Sequence, residues 1–326
     1  MRRYWISAGF AAAIALPPCA ACAQGAAEAF PARPVRIIVG LAPGGGTDIQ
    51  ARLLAQRLSL NLNRSFVVEN RTGAGGTVAY AQVAKAPADG YTQLAVASGY
   101  SITPAVYATL PYDPIRDFAA ISLVIQAPIL LMTHPSLPVK STRDLVALAK
   151  SRPGALDGAS AGYGTSNHMA LELFNLLAGT KITHVPYKGT GPALIDAMTG
   201  QVHMIFGNIL SSLPYVRQGR LRGLAVTGAT RAKAVPELPT VAESGVPGYE
   251  TTTWLAWLAP AGTPPAIVSR MSAELAKAVR SPDVADRLVG DGGEPVGSSP
   301  EQLTRHLTAE IERWRKVVKA AGMKVE

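Results

Sequence analysis

The chain has 326 residues, 48% of them hydrophobic and 16% charged, with a net charge of +9. That is enough for about two domains with hydrophobic cores, and the scattered Lys and Arg, with no basic run interleaved with aromatics, argue against a nucleic-acid partner. Both cysteines, Cys19 and Cys22, lie near the N-terminus, so the rest of the chain carries no disulfide framework and no cysteine-based metal site.

Arg2 and Arg3 precede a short apolar stretch from Ile6 to Leu16, which Pro17 and Pro18 end, and Ala21-Cys22-Ala23 fits small-x-small cleavage. Residues 1–23 therefore read as a signal peptide of an exported protein. The apolar run is shorter than the ~20 residues that a bilayer requires. Next, Val35–Val39 reads as a strand that enters the loop Gly40-Leu41-Ala42-Pro43-Gly44-Gly45-Gly46-Thr47-Asp48. Thr47 or Asp48 can cap a helix over Ile49–Leu62, with Leu54, Leu58 and Leu62 on one face. Phe66–Glu69 is a strand and Thr77–Ala86 a helix. Pro87-Ala88-Asp89-Gly90 is a turn and Thr92–Ala97 the next strand.

The pattern then restarts. Ile121–Val124 and Ile129–Thr133 read as separate strands joined by a crossover at Gln126-Ala127-Pro128, and Ser141 caps a helix that runs to Ser151. A second glycine-rich loop, Ser160-Ala161-Gly162-Tyr163-Gly164-Thr165-Ser166-Asn167, leads into a helix through Met169, Leu173 and Leu177. Ile182–Val185, Val202–Phe206, Gly223–Thr227 and Thr251–Ala259 are further strands. Ser299 and Pro300 start a last helix whose Leu303, Leu307, Ile311, Trp314 and Val318 share a face. Such alternation predicts an α/β protein with largely parallel sheets.

Glycine loops that open helices bring free N–H groups and the helix dipole to one place, which makes a seat for an anion. In the first loop, Gly46 stands where a P-loop needs lysine, and Gly44-x-Gly46 is followed by Ile49 where a dinucleotide fingerprint needs glycine, so nucleotide chemistry is disfavoured. Neither loop holds Lys or Arg. A carboxylate met by backbone amides and by the hydroxyls of Thr47, Ser160, Thr165 and Ser166 fits better, and such neutral donors permit release. A rival reading is a secreted serine hydrolase, because Gly158-Ala159-Ser160-Ala161-Gly162 matches G-x-S-x-G. That motif needs a strand before the serine, and Pro153–Asp157 is a poor one. It also needs a histidine, for which His168, His184, His203 and His306 are the candidates. His168, at the start of its helix, could instead donate to a ligand or face solvent. The histidines are too widely spread for a zinc site, and no metal or cofactor is expected.

Taken together, the leader and several motifs resemble the Bug receptors, the extracytoplasmic substrate-binding proteins of tripartite tricarboxylate transporters. Those motifs are Ala42-Pro43-Gly44-Gly45-Gly46-Thr47-Asp48, Val68-Glu69-Asn70-Arg71, Pro87-Ala88-Asp89-Gly90-Tyr91, Leu110-Pro111-Tyr112-Asp113-Pro114, Val185-Pro186-Tyr187-Lys188-Gly189, Leu238-Pro239-Thr240-Val241-Ala242-Glu243-Ser244-Gly245 and Ala259-Pro260-Ala261-Gly262-Thr263-Pro264. The resemblance implies a two-lobed α/β periplasmic binding protein, type II-like, each lobe a mostly parallel sheet flanked by helices, with a hinge between them. Residues 24–125 plus 249–326 would form the first lobe and 126–248 the second.

It further implies a monomeric periplasmic receptor, not an enzyme, that takes a di-, tri- or aromatic carboxylate and delivers it to membrane subunits; a ligand sensor for signalling would share the fold. The implied ligand set is Ala42, Gly44, Gly45, Gly46 and Thr47 in the first loop, Ser98, then Ser160, Ala161, Gly162, Tyr163, Gly164, Thr165, Ser166 and His168, and Asn208. Asp48 is expected to cap its helix and not to touch an anion. Two departures stand out. Tyr163 replaces a small polar residue, which favours a ligand with an apolar or aromatic part. Gly207 stands where aspartate is often found, which disfavours an amino acid as ligand.

Overall fold

The computed structural model describes residues 30–323 apart from Lys188 and Asp291. The expected leader, with both cysteines, lies outside the described residues. The strands are β1 (Val35–Val39), β2 (Phe66–Asn70), β3 (Thr92–Ala97), β4 (Phe118–Thr133), β5 (Asp157–Ser160), β6 (Thr183–Pro186), β7 (Met204–Asn208), β8 (Arg222–Val226), β9 (Thr252–Pro260) and β10 (Glu294–Pro295). The helices are α1 (Gly46–Leu62), α2 (Thr77–Ala84), α3 (Gly99–Val106), α4 (Thr142–Ser151), α5 (Ser166–Ala178), α6 (Thr190–Thr199), α7 (Ile209–Arg217), α8 (Pro265–Arg280), α9 (Pro282–Gly290) and α10 (Pro300–Ala320). The expected bounds of β1 and β3 coincide with those observed.

The strands sort into two sheets that share β4. The first runs β2-β1-β3-β9-β4, and β10 pairs with the middle of β4. The second runs β4-β7-β5-β6, with β8 on the other side of β4. Pairing is parallel among β1, β2 and β3 and among β5, β6 and β7, whereas every pair that involves β4 or β9 is antiparallel. Each sheet is therefore mixed. Buried side chains pack on both faces of each: Leu54, Leu58 and Met271 cover one face of the first sheet and Tyr80, Tyr100 and Leu307 the other. Met169, Phe174 and Trp314 cover one face of the second, Leu194, Ile209 and Leu213 the other. Full burial of one such leucine is worth about 1.5–3 kcal/mol.

One local reading is corrected and a second is refined. The two strands expected around Gln126-Ala127-Pro128 are one strand of 16 residues, because Gln126, Ala127 and Pro128 stay in register with Trp254, Thr253 and Thr252 of β9. Proline is tolerated there because β10 pairs with β4 only as far as Gln126, and the pairing of β4 with β7 and β8 starts only at Ile129 and Leu130. Residues 153–156, read as a poor strand, form none, but β5 begins at Asp157 and runs to the serine: Gly158 lets the chain pass close to Leu171 and Ile182, where a Cβ would stand 3.0 Å from Leu171 Cδ2. The helix through Met169 and Leu173 buries both, but Leu177 is exposed.

The last helix behaves as its sequence dictates. Ser299 and Gln302 form a reciprocal capping box ahead of Pro300, and all five expected face residues are buried. It is not confined to the first sheet, however. Leu303 and Leu307 join the first sheet's core, and Trp314, Val317 and Val318 join the second's. α3 is shared in the same way, through Tyr100 on one side and Ile102 and Val106 on the other. β4 and the segment that leads into β9 carry the chain between the two sheets.

Candidate ligand-binding site

A cavity of about 560 Å³ lies between the two sheets. Five helices begin in its wall. α1 contributes Gly45, Gly46 and Thr47; α3 contributes Ser98 and Gly99; α5 contributes Thr165, Ser166 and Asn167; α6 contributes Gly189 and Thr190; and α7 contributes Asn208, Ile209 and Leu210. In each case these are the N-cap and the first one or two helical residues, whose N–H groups have no acceptor within the helix. Thr165 caps α5 with its hydroxyl, whereas the N-caps Gly45 and Gly189 have no side chain to do so and those of Ser98 and Asn208 accept no bond from their helices. Each start carries the equivalent of about half a positive charge. Among the described residues, no Lys, Arg, His, Asp or Glu lines the cavity. Its field is thus positive and built from neutral groups, with Val106, Ile125, Leu255 and Leu288 supplying an apolar belt and Trp254, Tyr107 and Tyr163 aromatic surface.

Of the sequence-derived candidates, the structure brings Gly45, Gly46, Thr47, Ser98, Ala161, Tyr163, Gly164, Thr165, Ser166 and Asn208 to this wall. Ala42, Gly44, Ser160, Gly162 and His168 are not part of it: Ala42 and Gly44 are exposed, and Ser160 and His168 are buried behind it. Their groups bond to one another and to the loops. Asp48 Oδ2 accepts from Gly44 N (2.9 Å), Ser160 Oγ accepts from Gly162 N (3.1 Å), and His168 Nδ1 accepts from Gly164 N (3.1 Å). His168 is 1% exposed, so it neither donates into the cavity nor faces solvent, contrary to both expectations. Its ring stacks on His184 at 3.6 Å and meets Tyr163 at 4.9 Å.

The cap of α1 also differs from expectation. Gly45 is the N-cap, and Thr47 and Asp48 fall inside the first turn. Asp48 is buried and gathers Gly44 N, Arg52 Nε (3.0 Å) and Asn70 Nδ2 (3.0 Å), while Asn70 Nδ2 also reaches Leu41 O (2.9 Å). Burial raises the Asp48 pKa, but the bonds from Arg52, Gly44 and Asn70 outweigh it and hold the carboxyl below the ordinary aspartate range. The acid thus shapes the first loop from behind and stays out of the cavity.

Ser160 does have a histidine partner, since His184 Nε2 lies 2.6 Å from Ser160 Oγ. The pair lacks the rest of a hydrolase. Ser160 is fully buried and outside the cavity wall, His184 has no carboxylate partner among the described residues, and α5 begins only at Ser166. Burial, with the adjacent His168, pushes His184 down to about 3, so it stays neutral. Among the described residues no group of three or more His, Cys, Asp or Glu could hold a metal ion.

The weight placed on Gly207 is also corrected. A Cβ there would stand 2.4 Å from Ser212 Oγ and 2.8 Å from Met132 Cε, and none of these residues lines the cavity. Side chains alternate along β7, so its next residue, Asn208, is the one that faces the ligand space. Gly207→Asp should therefore cost about 2–4 kcal/mol by overpacking and by burial of an unpaired carboxylate. It should lower Tm in a thermal melt without adding affinity for glutamate. Wall residues that the sequence reading missed include Gly99, Thr103, Tyr107, Gly189, Thr190, Thr253 and Trp254. Ser98-Gly99 after β3 and Gly189-Thr190-Gly191-Pro192 after β6 carry the same strand-to-helix signal as the two glycine loops, in a shorter form.

The family described as "Tripartite tricarboxylate transporter family receptor" matches residues 50–323. Protein BugT of Bordetella pertussis is 37% identical over 92% of this chain and 93% of its own length. Rpa4515 of R. palustris, solved with adipate, is 43% identical, with a TM-score of 0.80 over 90% of this chain and 98% of that one. MatC of Rhodopseudomonas palustris, solved with bound malate, is 34% identical, with a TM-score of 0.76 over 89% of this chain and 100% of that one.

Proposed function

The chain belongs to the tripartite tricarboxylate transporter receptor family, a family of binding proteins and not of enzymes, and on that premise we propose that it captures a small dicarboxylate with an apolar body between its two lobes. The lobes divide near residues 126 and 249. One carboxylate would sit on the starts of α1 and α3 and the other on those of α5, α6 and α7, with the aliphatic belt and Tyr163 around the carbon skeleton. Closure by a hinge at the crossovers would then bring both sets onto the ligand. The expected leader at residues 1–23 would place the receptor in the periplasm, and membrane subunits of a tripartite tricarboxylate transporter would take the ligand from it. No helix among the described residues is long and apolar enough to cross a membrane.

The observation that carries this reading is the convergence of five helix starts from both lobes on one cavity without a charged side chain among its described lining. Adipate and malate in the two related structures belong to the same chemical class. An amino acid is disfavoured because its ammonium group would meet no carboxylate in that lining. The test is thermal denaturation of the purified protein with adipate, malate, phthalate, citrate and glutamate. A ligand at a hundredfold excess over its Kd adds about 2.7 kcal/mol of stability, a rise of several degrees in Tm. Adipate or phthalate should give the largest rise and glutamate none. A flat response to every carboxylate, or a largest rise with glutamate, refutes the reading.

A further inference from the structure

We infer that Glu310 is a positioning residue that couples the cavity wall to the hinge between the lobes, an inference that rests on the reading that the lobes close on a ligand. Glu310 lies midway along α10 and is 6% exposed. Its Oε2 accepts the indole N–H of Trp254 (3.4 Å) and that of Trp314 (3.0 Å). Its Oε1 pairs with the guanidinium of Arg313. Trp254 lines the cavity and belongs to the core of the first sheet, whereas Trp314 belongs to the core of the second. Arg313 Nη1 donates to Glu250 O (3.0 Å), in the segment that returns the chain to β9. One carboxylate thus joins the cavity wall, both cores and, through Arg313, one of the two crossovers.

Packing alone does not call for an acid here. An aliphatic side chain of similar volume would fill the space without the cost of desolvating a carboxylate. The acid is suited to a place where two indole N–H groups from different cores need one acceptor. His306, one turn earlier on α10, packs edge-on against Trp254 at 5.3 Å, and burial lowers its pKa, so it adds no charge to the cluster. The bond to Trp254 is the longer and weaker of the two, so it is the first to part when this indole moves with the cavity wall, while the bond to Trp314 holds.

The test reads the interlobe distance without ligand. Spin labels are placed on Leu60→Cys in α1 and Ile195→Cys in α6, both exposed positions. Glu310→Ala should widen the distance distribution at least about twofold or shift its mean. Glu310→Gln, which keeps an oxygen for both indoles, should retain the wild-type width. If Glu310→Ala does not fold, Trp314→Phe decides, because it keeps a ring and removes one N–H, and it should widen the distribution too. A wild-type distribution in whichever of these two folds overturns the inference. So does widening by Glu310→Gln as large as that by Glu310→Ala, which would assign the effect to the Arg313 pair. Because no ligand is added, a failure of carboxylate binding is recorded separately by the thermal melts.

Discussion

Asp48→Ala is expected to weaken ligand binding by about tenfold or more and to cost about 2 kcal/mol of stability. Its carboxylate holds Gly44 N, the Arg52 guanidinium and the Asn70 amide, and through Asn70 it holds Leu41 O. Removal breaks part-buried, charge-assisted bonds from Gly44 N and Asn70 Nδ2, and bonds to a charged group are worth about 1.5–3 kcal/mol. Arg52 is half exposed and regains water, so the larger loss recorded for fully buried pairs does not apply. The loop that presents Gly45 and Gly46 then has to be ordered by the ligand itself, which subtracts from affinity. Isothermal titration with whichever dicarboxylate stabilises the wild type checks the first part, and urea denaturation the second. An unchanged Kd would show that the loop is held by other contacts.

The same group sets a pH dependence whose sign follows from its depressed pKa. An acid held below its unfolded value of about 3.9 contributes stability that is fully present above that pH. The contribution disappears as pH falls through the lower, folded value. Wild type should therefore lose stability more steeply below about pH 4 than Asp48→Ala does, a difference readable from urea midpoints at stepped pH.

The second large effect is expected at Gly99→Phe. Gly99 is the first residue of α3, and a Cβ built there meets nothing within 4 Å. Its φ is not in the left-handed region, so a side chain brings no backbone strain. The ring would enter the cavity beside Ser98 and fill space that a carboxylate must occupy. Binding should fall at least about a hundredfold while Tm without ligand stays near that of the wild type. Gly76 offers the contrast: its φ is +102° and a Cβ would lie 2.5 Å from Tyr80 Oη, so substitution there should damage the fold itself. Retained affinity in Gly99→Phe would place the ligand elsewhere in the cavity.

Much of the architecture was legible because it depends on near neighbours. The alternation of apolar strands with capped helices placed most strands to within a few residues, and Ser141 and Ser299 cap their helices as expected. The errors lie where a distant segment overrides local preference. Pro128 reads as a break, yet β9 keeps it in a strand. The stretch 153–157 reads as a poor strand, yet its last residue opens β5, which β6 and β7 hold between them. His168 stands at a helix start and reads as available, yet stacking on His184, from a strand 16 residues on, removes it from the cavity. The sequence could pair neither histidine with the other.

The features legible without the fold are local: where helices start, that the two glycine loops are free of basic residues, and that their amides suit an anion. These follow from backbone geometry within a few residues of each position. Which starts meet depends on how distant strands pair. Five of them converge because β4 joins the two sheets and β9 ties β3 to β4, so the helices that follow β1 and β3 point their first turns toward those that follow β5, β6 and β7. Strand pairing also turns Asn208 and not residue 207 toward the ligand, because strand side chains alternate and only the sheet's partners choose the face.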